Sequence, residues 1–344
     1  MPWKVAWSVT VDGVDMSDRM NDFILSIEVT DKDGSSSDTA TLKFSDTDAQ
    51  MFLPKDGARV VISLMGVVVF EGTVDEVRSS GARGSGRELS VSCKGFDSRG
   101  KVKEPLSFHK DNTTLESFLT DAAKRAGLKG VTIDQSFRGI QRPFWSADGE
   151  TILHLGKRLA EELGGSFKIR VDKAVLAKRG DGKTPSGQDL PTVRAVWGDN
   201  LMTWDVAPFM GRKRFTKARV RYFDRKEAKW KEEDVEVSGK DGAPPSVDVV
   251  RFPKADKAEA KGTAKGRKTD SEREGGEGSV KIDLDPSARA EGSCIIEGAR
   301  PGVDGKYRIV SVTHRLTRSG GSETSLELKQ PQGDAGKDKR KSKS

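Results

Sequence analysis

"GARVVISLMGVVVFEGTVDEVRSSGARGSGRELSVSCK" occupies residues 57–94, and "GSCIIEGARPGVDGKYRIVSVTHRLTRSGGSETSLELK" occupies residues 292–329. The two stretches have the same length, and a constant offset of 235 residues places apolar positions on apolar positions and glycines on glycines. The matched positions are Gly57 and Gly292, Val60 and Ile295, Val61 and Ile296, Val74 and Ile309, Val77 and Val312, Gly86 and Gly321, and Val91 and Leu326. The separation is too large for a solenoid period, so the pattern indicates one module that is built twice.

Length and composition set the class of protein. A chain of 344 residues predicts two or three domains, each with enough apolar surface for its own core. The hydrophobic share is 34%, the charged share is 33%, and there are 37 glycines. Many glycines among alternating apolar residues are typical of short strands joined by turns, so we expect a mainly β protein with a very polar surface.

The middle of the sequence changes from strand alternation to a helical period. Thr113 and Glu116 form a capping box that predicts the start of one helix, and Gly164 is predicted to end a second helix. Beyond Gly164, apolar residues alternate with charged ones, which predicts a half-buried strand. The apolar residues are Phe167, Ile169 and Val171, and the charged ones are Lys168, Arg170 and Asp172.

These patterns predict an α+β domain that is inserted between two β domains. We expect the first β domain at residues 1–102, the inserted domain at 103–191 and the second β domain at 192–331. Residues 254–277 are almost wholly charged or small, with too little apolar content to pack, and predict a solvated helix or a charged linker. Residues 332–344 predict a disordered basic tail.

Patterns that would indicate chemistry are missing from the sequence. His109, His154 and His314 are scattered and have no carboxylate or cysteine partner at catalytic or metal-ligand spacing. The net charge of +7 comes from basic residues that are interleaved with acidic ones nearly everywhere. The longest apolar run, residues 60–70, is too short to span a membrane. We therefore predict no enzyme, no cofactor, no metal, no specific nucleic-acid binding and no membrane segment, and a chain that stays in the cytosol, since no secretory signal is visible.

The second stretch resembles the closing motif of the phage late-control D family, the baseplate hub proteins of contractile tails. The motif is a strand followed by a glycine turn and a second strand, here Tyr307, Ile309, Val312 and His314, then Gly321, Thr324, Leu326, Glu327 and Leu328. The stretches "FEGTVDEV" (70–77), "DGETILHLGKRLAEELGG" (148–165) and "LMTWDVAP" (201–208) resemble other parts of the family in the same order. The chain departs from the family at residues 254–278, where a more regular helix is usual.

The resemblance implies a fold and a role. It implies two tube-like β-barrel modules per chain and a homotrimer whose six modules join a sixfold tail tube to a threefold central spike. It further implies the tail tube protein, the spike protein, other baseplate proteins and the tape measure protein as partners, and a virion protein of the tail baseplate that is assembled in the host cytoplasm. The hub part of type VI secretion spike proteins is similar.

Other functions stay open. A tail-associated peptidoglycan hydrolase would need an acid and nucleophile pair or a metal site. The hub of a phage-derived contractile injection system would need the same fold as a phage hub. A nucleic-acid binder would show steep salt dependence of DNA retention.

Cys93 and Cys294 are the two cysteines of the chain. They fit neither a disulfide framework nor a zinc site and read most simply as small buried residues. At the constant offset, Cys93 lies over Leu328 and Cys294 over Arg59, so a symmetric pair is not implied. A virion leaves the reducing compartment, and one of the two is a candidate for a disulfide with a partner chain after release.

Overall fold

A computed structural model describes residues 5–84, 86–210, 215–236, 246–338 and 340. The fold is mainly β, as the sequence predicts. The strands are β1 (Trp7–Val11), β2 (Val14–Asp15), β3 (Ile24–Lys32), β4 (Thr39–Ser45), β5 (Arg59–Leu64), β6 (Val67–Ala82), β7 (Gly86–Lys94), β8 (Leu106–Thr114), β9 (Gly130–Ile133), β10 (Gln141–Glu150), β11 (Gly165–Arg170), β12 (Lys173–Lys178), β13 (Thr192–Val196), β14 (Leu201–Ala207), β15 (Lys217–Asp224), β16 (Lys229–Glu236), β17 (Val247–Val249), β18 (Glu277–Asp283), β19 (Ser293–Glu297), β20 (Gly305–Thr317) and β21 (Gly321–Gln332). The helices are α1 (Ser17–Asn21), α2 (Leu115–Arg125), α3 (Gln135–Arg138), α4 (Ile152–Leu163) and α5 (Lys257–Arg273), with a 3-10 turn at Lys101–Lys103.

One large sheet, which we call the main sheet, contains both copies of the repeat. Its strand order is β14-β18-β21-β20-β3-β4-β7-β6-β5-β1-β2, and β19 and β13 extend it beside β20. We call β3, β4, β7, β6 and β5 the first module, and β14, β18, β21, β20 and β19 the second module. The modules are joined inside the chain because β20 of the second pairs antiparallel with β3 of the first.

Strand alternation builds the two cores. In β4, for example, Ala40, Leu42 and Phe44 are buried while their neighbours face outward, as the two-residue period of a strand requires. Leu316 of β20 is fully buried in the core of the first module, although it belongs to the second. The joint between the modules is therefore packed as well as hydrogen-bonded.

The two closed barrels expected from the resemblance are not seen in the single chain. Within the described residues, each module is a part of the same open sheet, and no strand pairing closes either module on itself.

The inserted α+β region has its own core, formed by α2 and α4 against two small sheets, β10-β8 and β11-β12-β9. Gly164 ends α4 in the left-handed conformation (φ 70°), as its position in the sequence predicts. The expected N-cap at Thr113 is wrong by one residue, because Thr114 accepts the hydrogen bond from the Ser117 amide at 3.3 Å. Thr113 instead belongs to β8 and pairs with Arg142.

The described strands between residues 217 and 249 lie within the predicted second β domain but are not part of the second module's sheet. The strands β15, β16 and β17 form a separate sheet, which we call the satellite sheet, and α5 packs on it through the fully buried Ala260 and Ala264. Of the two alternatives predicted for residues 254–277, the structure has the helix and not the linker, and one side of that helix is packed instead of solvated. Two alanines provide enough apolar surface because the helix packs closely, and the charged residues cover its other sides.

The prediction of a disordered tail at 332–344 is wrong for its first part. Strand β21 continues to Gln332, Ala335 is buried in the core of the second module, and the Gly336 amide donates to the Gly302 carbonyl at 2.9 Å. Gly305 makes this contact possible, since a Cβ at that position would lie 2.6 Å from the Ala335 nitrogen. Residues 339 and 341–344 of the predicted tail lie outside the described residues.

Candidate assembly site

The two modules are similar in pairing as well as in sequence. In the first module, Val74 lies opposite Cys93 and Ala82 opposite Gly86. The constant offset converts these pairs into Ile309 with Leu328 and Thr317 with Gly321, which are the observed pairs of β20 and β21. A repeat seen first as a sequence offset is thus a repeat of strand register.

Irregularities of the two modules also coincide. The β6·β7 ladder shifts register between Val74 and Glu76, and β20·β21 shifts between Ile309 and Ser311, at the same offset. A second shift lies at the start of the outer strands. It falls between Ile24 and Ser26 in β3 and between Leu201 and Thr203 in β14. Because β-bulges are positioned features, shared bulges identify β3 with β14 residue by residue.

The hairpin β19·β20 departs from the constant offset by one residue. Val60 lies opposite Gly72 in the first module, whereas Cys294 lies opposite Tyr307, the counterpart of Gly72. Cys294 is therefore the structural counterpart of Val60, and the expected match with Arg59 is wrong. A two-residue turn fixes the register of β5·β6, but a longer loop joins β19 to β20 and permits the slip.

A buried ion cluster attaches the inserted domain to the first module. Lys168 of β11 donates to Asp38 at 2.9 Å and also to Asp31 of β3, with the Lys168 side chain only 10% exposed. Burial raises the pKa of Asp31, but the nearby Lys168 and Arg170 lower it more, so the net pKa is below its usual value. Burial and the Asp31 charge raise the pKa of Asp38.

A second ion cluster lies where α5 meets the sheet. Arg273 donates to Glu291 at 2.6 Å and to Asp33 at 3.0 Å, and all three side chains are buried or nearly so. Arg179 of the inserted domain contacts Asp33 at 3.0 Å. The satellite sheet, the inserted domain and the main sheet are thus connected by charges that the sequence pattern does not reveal.

One pair of carboxyl groups lies in a groove that is lined by residues of α4 and α5. Arg142 lies 2.7 Å from Glu162, and Lys254 lies 3.5 Å from both Glu162 and Glu259. Burial and the Glu162 contact raise the pKa of Glu259. The two carboxyls share the Lys254 ammonium, which connects the inserted domain to α5.

The three histidines do not come together. His109 of β8 stacks on Phe144 of β10. His154 lies at the exposed start of α4, and His314 is buried at the joint of the modules. Among the described residues, no group of three or more potential ligands could hold a metal ion. In the same residues no helix has the length and apolar character to cross a membrane.

His314 predicts a pH dependence of stability. Its Nδ1 lies 3.0 Å from the Thr324 hydroxyl, and burial lowers its pKa to about 4 from the ordinary 6.5. Between pH 6.5 and pH 4, His314 is therefore protonated in the unfolded chain but neutral in the folded chain. Its contribution is complete above pH 6.5 and is lost as the pH falls toward 4. The loss is about 3 kcal/mol.

The measurement is urea unfolding between pH 7 and pH 4. We expect His314→Gln to show a flatter pH dependence than the natural chain. His154→Gln is the matched control, since His154 is 72% exposed. Equal slopes for the natural chain and His314→Gln would contradict the assignment.

Both cysteines are buried free thiols, and they lie in different cores. Burial raises the pKa of Cys93 and of Cys294 to about 12, which suppresses the reactive thiolate. The expected disulfide with a partner chain stays a prediction. It would require one of these strands to leave its core, and non-reducing electrophoresis of whole particles tests it.

Known proteins are similar to this chain in sequence and in fold. None of the protein-family models matches the chain. The chain is 29% identical over 198 residues to the probable baseplate hub protein of Escherichia phage P2, and the match covers 56% of this chain. The matched part spans about half, 50%, of the length of that relative.

Solved structures share the fold. A tail protein from Neisseria meningitidis superposes with a TM-score of 0.69 at 17% identity and covers 98% of this chain and 99% of its own. An Escherichia coli component of the type VI secretion system, described as similar to phage T4 tail proteins, has a TM-score of 0.59 at 12% identity and covers 95% of this chain and 77% of its own. The resemblance drawn from the sequence is confirmed: over 198 residues the chain is similar to the probable baseplate hub protein of phage P2, and it has the fold of solved tail proteins.

Proposed function

We propose that the chain is a structural hub of a contractile tail, and that three copies form a ring that joins a sixfold tail tube to a threefold spike. The observation that carries the proposal is the repeated module, with one register and one set of bulges, inside a single sheet. Three chains with two modules each present six similar units, which matches a sixfold ring on one side and a threefold partner on the other.

The ends of the sheet support a ring. Within the chain, β20 of the second module pairs with β3 of the first. The counterparts of these strands, β6 and β14, lie toward opposite ends of the strand order. Such head-to-tail surfaces form closed rings when the rotation per unit closes. The two tube-like barrels implied by the resemblance, and the division at residues 1–102, 103–191 and 192–331, belong to this proposal.

The partners follow from the same role. We infer contacts with the tail tube protein, the central spike protein, other baseplate proteins and the tape measure protein, in a virion baseplate assembled in the host cytoplasm. A non-enzymatic role is supported by the relative's description as a probable baseplate hub protein. The type VI secretion component of the same fold supports the hub of an injection system as the second candidate.

The test is the mass of the purified chain in solution by light scattering over a range of concentrations. We expect a species of three times the chain mass of 37.5 kDa. A chain that stays monomeric at every concentration, or one that forms hexamers, contradicts the proposed ring. Clearing of a peptidoglycan layer by the purified protein would instead favour the hydrolase.

A further inference from the structure

Among the stretches of strand edge that have no strand beside them in the described part of the chain, two belong to the strands that correspond to the joint between the modules. One is the outer edge of β6 at residues 78–81, and the other is the outer edge of β14 at residues 204–207. Their counterparts in the other module, β20 and β3, pair with each other. The internal joint therefore serves as a template for a contact between two copies.

We propose that β6 of one copy pairs antiparallel with β14 of a second copy, in the register of the internal β20·β3 joint. The inference rests on the proposed ring and assigns the residues that close it. The constant offset converts β20 into β6, and the shared bulge converts β3 into β14. The resulting opposite pairs are Arg78 with Ala207, Ser79 with Val206, Ser80 with Asp205 and Gly81 with Trp204.

Burial differs between the two modules where this pairing is missing. His314 and Leu316 of β20 are 3% and 0% exposed beside β3. Their counterparts Ser79 and Gly81 are exposed, although β6 and β20 share the same fold and the same register with the next strand. The difference is what removing one neighbouring strand produces.

Side-chain size at the proposed joint is complementary. In the internal joint, Leu316 lies opposite Ile27, and both fill the core of the first module. At the proposed joint, Gly81 lies opposite Trp204. A small and a large residue therefore replace the two medium-sized residues of the internal joint. Trp204 already packs on the core of the second module and against Trp197, with ring centroids 4.8 Å apart. Gly81 leaves room for that indole.

Charge also fits. Arg315 contacts Glu28 across the internal joint at 3.9 Å. Asp205 occupies the position of Glu28, and Arg78 lies on the same face, diagonally across the proposed pairing. Long side chains reach diagonal neighbours on antiparallel strands, so Arg78 can pair with Asp205.

The hydrogen-bond pattern predicts which pairs are close enough to crosslink. Across the internal joint, the Arg318 backbone amide donates to the Leu25 carbonyl, and the Asp33 backbone amide donates to the Val310 carbonyl, each at 2.9 Å. Between these two hydrogen bonds, opposite residue pairs alternate between hydrogen-bonded and non-hydrogen-bonded pairs. Thr30 and Thr313, whose hydroxyls lie 3.1 Å apart, are a pair of the second kind. Ser80 with Asp205 and Arg78 with Ala207 are pairs of this second kind, in which the side chains are closer.

The experiment is disulfide crosslinking of the full chain. We expect the double variant Ser80→Cys/Asp205→Cys, oxidised at the concentration where the chain is trimeric, to give a covalent ladder that ends at three chains. Arg78→Cys/Ala207→Cys is a second pair in the same register and should behave alike. The matched control is Ser79→Cys/Asp205→Cys, because Cβ atoms one residue apart point to opposite faces of a sheet.

The outcomes separate this inference from the ring itself. A trimer by light scattering in which neither of the two pairs crosslinks more than the control overturns the register and leaves the ring. A ladder that continues beyond three chains overturns the closed ring but keeps the strand pairing. A chain that is monomeric at every concentration overturns both. The single variants Ser80→Cys and Asp205→Cys report any reaction of the buried native thiols.

Discussion

Replacing Lys168 with methionine is expected to lower the free energy of unfolding by about 3–5 kcal/mol. The Lys168 ammonium lies between Asp31 and Asp38, and all three side chains are at most 16% exposed. Methionine has a similar shape but no charge, so two adjacent carboxylates would stay buried without the ammonium that contacts both, with Arg170 and Arg289 as the remaining nearby cations. The cost comes from the uncompensated buried charge. Both the first module and the inserted domain contribute residues to this ion cluster, so both are expected to be destabilised.

Urea unfolding at pH 7 measures this effect. The matched control is Lys178→Met, which removes an exposed ion pair with Asp181 in the neighbouring strand, with side chains 43% and 41% exposed. We expect a change of at most about 1 kcal/mol for the control. The Lys168→Met deficit should also shrink as the pH approaches the ordinary aspartate pKa of about 3.9, because protonation removes the unpaired charge. Similar losses for the two variants at pH 7 would contradict the account.

Replacing Leu316 with alanine is expected to cost about 2–5 kcal/mol. The residue is fully buried in the first module's core but is carried by a strand of the second module. Its removal leaves a cavity at the internal joint, where neither module can collapse without disturbing the β20·β3 pairing. We therefore expect both modules to lose stability together, with one transition in urea.

The adjacent Arg315 provides the control for Leu316. Its side chain is 56% exposed and contacts Glu28 at 3.9 Å across the same joint. Arg315→Ala should change the free energy of unfolding by no more than about 1 kcal/mol. Two separate transitions in Leu316→Ala would instead show that the modules unfold independently and that the joint contributes little to either.

Local features of the fold were readable from the sequence. The repeat between residues 57–94 and 292–329 predicted matching strands and hairpins, because strand register follows the alternation of apolar residues and the glycine turns. Gly164 marked the end of a helix, since only glycine takes the left-handed conformation there without strain.

Other features depend on contacts between residues far apart in the chain. Lys168 alternates with apolar neighbours and was expected to face solvent, yet the carboxylates that bury it belong to another domain. Residues 254–277 have the composition of a solvated segment, and only the satellite sheet gives Ala260 and Ala264 a surface to pack on. Periodicity reports which face of a strand or helix is apolar, but a charged residue is buried only where folding brings its partner to it. For the same reason the repeat determined that two modules exist, while only the tertiary structure decided that they share one sheet through the pairing of β20 with β3.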